Sequence, residues 1–145
     1  MNLPEKARET FTTGGFNCSQ AVFSTYSTQL GLDEETAKKV ACGFGGGIGH
    51  TGETCGAVTG AIMTISLKYG QTDPSDAAAK EKTFAIAQEF MKRFSSEMGS
   101  LKCKDLLGYD MSNPEEYKEL REKGITKQVC PKYIETASRI LEELL

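Results

Sequence analysis

The chain has no tryptophan, a single histidine and only four prolines in 145 residues. It also lacks any apolar run approaching the roughly 20 residues that span a bilayer, so no membrane insertion is expected. Its first residues, "MNLPEKARETF", contain no apolar signal-peptide core, and the expected localisation is cytoplasmic. Basic blocks are missing too. Lys and Arg number 17 against 20 Asp and Glu, a net charge of -3, which argues against nucleic acid as a partner because phosphate neutralisation needs a basic face. One histidine leaves acid–base hydrolase chemistry short of groups, and the carboxylates sit in stretches such as "PEEYKELREK" that read as solvated helix faces. No C-x-x-C pair occurs, so neither a compact metal motif nor an adjacent dithiol is present.

What remains is an ordinary globular composition, 39% hydrophobic and 26% charged, over a length that suits one domain, residues 1–145, with its own core. Periodicity reads as helix throughout. Val22, Tyr26 and Leu30 fall on one face of a helix over 18–30. Asp33 is a good N-cap for a helix over 34–44, with Ala37, Val40, Ala41 and Phe44 on one side. Residues 55–69 are apolar or small nearly all round, the mark of a buried central helix. Asp73-Pro74 is expected to open a long helix to about Met98, striped by Phe84, Ala87, Phe90, Met91 and Phe94. Asn113-Pro114 opens a short polar one, and Cys130-Pro131 opens the last. No run alternates with period two. The expected class is all-α, a bundle of about five to six helices with a glycine-rich loop.

Five cysteines are an odd number for internal pairing, and in a reducing compartment they are expected to be free, redox-cycling or metal-bound. Cys18, Cys55, Cys103 and Cys130 all read as lying at helix starts, where unpaired N–H groups and the helix dipole favour thiolate over thiol. Lys102 and Lys104 would add to this at Cys103. Cys42 lies near the C-terminal end of its helix, where the dipole disfavours an anion. The plain alternative is that a free cysteine packs as a small hydrophobe.

Residues 43–61, "GFGGGIGHTGETCGAVTGA", hold eight of the fifteen glycines. Gly47 to Gly52 matches G-x-G-x-x-G, but a dinucleotide site needs a preceding strand, and residues 34–44 read as helix. The run is broken by Phe44, Ile48 and Val58 and leads into the most apolar helix, so it is not a linker. Gly56 and Gly60 give that helix a thin face for close backbone approach around Cys55, with N–H donors for a thiolate or for the sulfurs of a cluster. His50, five residues before Cys55, is either a further ligand, a base beside a thiolate, or a solvated loop residue.

Cys18, the glycine run into Cys55-Gly56-Ala57-Val58-Thr59-Gly60, Cys103 and Cys130 together resemble the C_GCAxxG_C_C family of small redox-active proteins. The resemblance runs from "NCSQAV" to "CPKYIETASRIL", with one departure: the label writes Gly-Cys-Ala where this chain reads Cys55-Gly56-Ala57. It implies that Cys18, Cys55, Cys103 and Cys130 are the family cysteines, that Cys42 is extra, and that the role is redox or metal-related.

Three functions stay open on these residues. The first is an oxidoreductase or electron-transfer protein using thiol–disulfide chemistry with a redox partner protein, with a homodimer as a further partner. The second is a site of four cysteine ligands holding an iron–sulfur cluster or zinc, although the cysteine spacings of 37, 48 and 27 residues match no compact ligand motif. The third is a non-catalytic helical interaction module with packed cysteines.

Overall fold

The computed structural model describes every residue from Met1 to Leu145. It contains eight right-handed α-helices and no strand: α1 (Leu3–Thr12), α2 (Cys18–Ser27), α3 (Glu34–Ala41), α4 (Gly56–Tyr69), α5 (Ala77–Met98), α6 (Cys103–Leu107), α7 (Pro114–Lys123) and α8 (Ile125–Leu144). The all-α expectation holds, with more helices than the five to six read from the sequence. One of the extra ones, α1, follows from Asn2. Its side chain accepts the Glu5 N–H at 2.9 Å while the Glu5 carboxylate accepts the Asn2 N–H at 3.4 Å, a reciprocal cap with Pro4 in the first turn. Asn17 and Gln20 repeat that box at the start of α2.

Three expected boundaries shift. The helices read over 18–30 and 34–44 each end early and finish as single 3₁₀ turns, Thr28–Leu30 and Cys42–Phe44, as last turns often do. Pro74 belongs to a turn held by the Asp73 side chain, which accepts the Ser75 N–H at 2.9 Å, and α5 starts at Ala77 under an Asp76 cap.

Helices α2 and α4 cross at the centre, with α3 against the outer side of α2, α1 and α8 covering it from another, and α5 against α4 and α8. The main core is assembled from Val22, Tyr26, Val58, Ile65, Phe90 and Leu141 with their buried neighbours. Gly60 sets the α2–α4 distance: a Cβ there would stand 2.8 Å from the Ser19 carbonyl oxygen and 3.1 Å from the Val22 Cβ. Val40 and Phe84, expected on inward faces, are about half exposed, because Ala37 and Ala41 carry the α3 contact and Phe90 and Phe94 carry that of α5.

The glycine-rich segment is not a loose loop. Gly46, Gly47, Ile48, Gly49 and His50 have φ of +64°, +69°, +67°, +62° and +62°, so five consecutive residues form a left-handed helical turn. Gly45 O accepts from the His50 N–H at 3.2 Å, and Gly47 O accepts from the Glu53 N–H at 2.8 Å. A left-handed turn costs an L-residue about 1–2 kcal/mol, which explains why glycine fills three of its five positions. The chain leaving it pairs with the segment before α6. Leu101 O accepts from the Cys55 N–H at 2.8 Å, Glu53 O from Cys103 and Gly52 O from the Lys104 N–H at 3.1 Å, around the one antiparallel bridge, Thr54 to Lys102.

Candidate functional site

Three of the four motif cysteines stand at helix starts as expected. Cys18 is the first residue of α2, Cys55 is the N-cap of α4, and Cys103 is the first residue of α6. Cys130 does not. Gly124, with φ +62°, both ends α7 and starts α8, so Cys130 and Pro131 lie inside the last helix rather than at its opening. Pro131 has no N–H to give to the carbonyl four residues back, at Lys127.

Glycines bring these positions together. A Cβ on Gly56 would lie 2.9 Å from the Ser19 nitrogen and 3.1 Å from the Cys18 Cβ, so only glycine lets the start of α4 press on the start of α2. A Cβ on Gly47 would lie 2.6 Å from the Cys103 Cβ, which seats the left-handed turn on α6. Gly46 gives room in the same way to the His50 ring and to the Met111 sulfur. Gly60, grouped with Gly56 on sequence grounds, lies farther along the α2–α4 crossing and does not line the site.

The result is one cavity of about 190 Å³ into which Cys18, Cys55, Cys103 and Cys130 all face. Cys55, Cys103 and Cys130 are buried, and Cys18 is partly open. Cys42 is exposed at the end of α3 and takes no part in the cavity. His50, Tyr117 and Arg121 belong to the lining as well, with the His50 ring 5.2 Å from that of Tyr117 and the Arg121 guanidinium 5.6 Å from the same ring. Phe11 of α1 and Tyr133 of α8 complete its walls, and the Tyr133 hydroxyl donates to Leu106 O at 2.7 Å.

Cys18, Cys55 and Cys103 are weak acids, and the cysteines of the cavity act on one another. A hydrogen bond to Cys130 raises the pKa of Cys18 well above the ordinary thiol value, and burial and the Cys130 charge push the same way. Burial lifts Cys55 to about 12, with the Cys18 charge adding to it, while the main-chain N–H groups of Ala57 and Val58 pull weakly the other way. Cys103 is likewise lifted by burial to about 12, helped by Cys55 and Cys18. This corrects the expectation of thiolates favoured at helix starts: at Cys55 and Cys103 removing the sulfur from water outweighs the partial positive charge of the helix end, and at Cys18 the neighbouring Cys130 does so together with burial. Within the glycine run the N–H groups of His50, Thr51, Gly52 and Glu53 bond to its own turn and that of Cys55 bonds to Leu101 O, and the N–H groups that act on the Cys55 sulfur come from α4 itself.

No group of three or more His, Cys, Asp or Glu side chains is arranged to hold a metal ion. Sequence reasoning missed Arg121, Tyr117, Tyr133 and Phe11. Arg121 was hidden in a helix read as a solvated face, although Tyr117 and Arg121 stand four apart beside the buried Leu120, so one side of α7 faces inward. Phe11 was recoverable from "NLPE", whose Asn and Glu spacing announces α1.

The model of a family described as "Putative redox-active protein (C_GCAxxG_C_C)" matches residues 16–144. No curated protein and no solved structure matches the chain.

Proposed function

The chain belongs to the C_GCAxxG_C_C redox-active family, and from that membership we propose that it works by thiol–disulfide chemistry, with Cys18 and Cys130 as the cycling pair. The observation that carries this reading is that Cys18 and Cys130 line one cavity with the other two motif cysteines, and that the Cys130 thiol is the largest influence on the acidity of Cys18. A disulfide needs its two sulfurs brought to one place, and among the motif cysteines this pair interacts most strongly with each other.

In the reduced state Cys18 is held as a neutral thiol beside Cys130. An incoming disulfide is attacked by the sulfur of one member after it loses its proton, giving a mixed disulfide and one free thiol. The second member then displaces the bound half, closing Cys18–Cys130. Two electrons pass to the substrate, one S–S bond breaks as another forms, and the two thiol protons leave on the two product thiols. Cys18 is the partly open member and provides the entry, whereas Cys55 and Cys103 are kept as neutral thiols by burial and wall the pair.

The test is oxidation of the reduced protein in glutathione redox buffers, with alkylation and mass mapping of the trapped thiols. A single internal Cys18–Cys130 disulfide is expected. It should vanish in Cys18→Ser and Cys130→Ser and persist in Cys55→Ser and Cys103→Ser. Metal and acid-labile sulfide are measured on the same anaerobically purified protein. Stoichiometric iron and sulfide, or zinc, with all four thiols protected would overturn the proposal in favour of a ligated centre. Four thiols that stay reduced across the whole buffer range would mean packing alone.

A further inference from the structure

The chain has four arginines. Arg8, Arg93 and Arg139 each hold a carboxylate, at 3.1, 3.0 and 2.7 Å respectively. Arg121 holds none. It is also the only arginine that lines the cysteine cavity, where its guanidinium lies over Tyr117. Its neighbours one helical turn away are Tyr117, Lys118, Gly124 and Ile125, so nothing on its own face of α7 or α8 can pair with it.

The same cavity contains no aspartate or glutamate among its lining residues, in a chain where acids outnumber bases 20 to 17. Its interior is therefore opposite in sign to the molecule as a whole. Cys55 and Cys103, kept neutral by burial, do not repel an anion entering past Arg121. The volume, about 190 Å³, is below the roughly 300–1,000 Å³ of sites shaped for drug-sized ligands. Cys130 is recessed beneath the rim, 6% exposed, and Cys18 is only partly open, which favours a small substrate over a disulfide on a flat protein face.

We propose that the substrate of this site is a low-molecular-weight disulfide bearing carboxylate or similar anionic groups, drawn in by Arg121 at the cavity mouth. The inference rests on the Cys18–Cys130 reading above. The reaction is R–S–S–R with the two protein thiols giving the Cys18–Cys130 disulfide and two R–SH, so the substrate is reduced by two electrons and the protein oxidised by two. Arg121 is a binding residue, since its charge meets the anionic end of the substrate and not the sulfurs.

Three small disulfides of similar size separate charge from reactivity: dithiodiglycolate is a dianion, hydroxyethyl disulfide is neutral and cystamine is a dication. Single-turnover oxidation of the reduced protein is followed by quenching, alkylation and mapping of the Cys18–Cys130 bond. Dithiodiglycolate should outrun cystamine by about tenfold at low salt, the combined effect of attraction and repulsion at a partly hydrated ion-pair site, and added salt should narrow the gap. Arg121→Gln should erase most of the preference and Arg121→Glu should reverse it, each read as the ratio of the dithiodiglycolate rate to the cystamine rate within one variant. Because Arg121 is exposed and unpaired, neither change threatens folding.

Equal rates for the three compounds, or a preference indifferent to Arg121, would overturn the anionic substrate while leaving the cycling pair intact. The anionic substrate is equally overturned if all three react slowly but a disulfide-bonded peptide reacts fast. Failure of every disulfide to close Cys18–Cys130 would bring down the cycling pair, and this inference with it.

Discussion

Ile48 is a β-branched residue with φ +67° in the middle of a left-handed turn, and its side chain is 40% exposed. The conformation costs about 1–2 kcal/mol for an L-residue, and little apolar burial is lost if the side chain goes. Replacing it with glycine relieves that strain at an entropic cost of about 0.5–1 kcal/mol. Ile48→Gly should therefore stabilise the protein by about 0.5–1 kcal/mol, read as a higher urea midpoint with an unchanged slope. At the preceding residue, Gly47→Ala should do the opposite. Its added Cβ meets the Cys103 Cβ at 2.6 Å as well as backbone of Gly52 and Glu53, at a φ that alanine resists. A loss of about 2 kcal/mol or more is expected from strain and overpacking together, along with slower formation of the Cys18–Cys130 disulfide as the cavity wall shifts. An Ile48→Gly variant no more stable than the parent would mean that the turn is not held in this conformation in solution.

At the scale of elements, capping chemistry was legible wherever a side chain did the capping. Asp33 opens α3 and Asn113 opens α7 as read. Where backbone alone decides, the sequence misleads. Cys130-Pro131 resembles a helix opening because proline belongs in a first turn, yet Gly124 turns the chain directly from α7 into α8, and tertiary packing of Ile134, Ala137, Ile140 and Leu141 carries the helix through the proline. The glycine run misled in a related way. Its composition announces positive φ, but not that consecutive residues would share it and close a turn. Pro131→Ala restores the N–H that the Lys127 carbonyl lacks, and proline inside a helix costs about 3 kcal/mol. The variant should unfold at higher temperature, by about 2–4 °C for each kcal/mol gained. If it is more stable but forms the Cys18–Cys130 disulfide more slowly, then the proline sets the approach of Cys130 at the expense of stability. A lower melting temperature would show that the ring's own packing outweighs the missing hydrogen bond.

Across the whole molecule, the four motif cysteines were readable as a set because glycine and helix-start residues accompany three of them, whereas the wall that encloses them was not. Phe11, Arg121 and Tyr133 come from α1, α7 and α8, and nothing local to those residues records which helices will meet. Enclosure is what makes Cys55 and Cys103 weak acids, and it ties stability to pH. Cys55 and Cys103 are pushed from near 9 up to about 12 when folded. The unfolded chain thus gives up these protons first, and between those values the folded state binds more of them. Their contribution is fully present below about pH 8.5, where the unfolded thiols are still protonated, and is lost as pH rises towards 12. For the reduced protein, urea midpoints measured from about pH 8 to about pH 10.5 should fall steadily, at up to about 1.4 kcal/mol per pH unit for each buried thiol. Cys55→Ala and Cys103→Ala should each flatten the slope even where they lower the starting stability. The exposed Cys42 serves as an internal control for enclosure: iodoacetamide should reach Cys42 well before the buried thiols. A pH-independent midpoint over that range would mean that water reaches the cavity freely and that the four sulfurs are not enclosed as described.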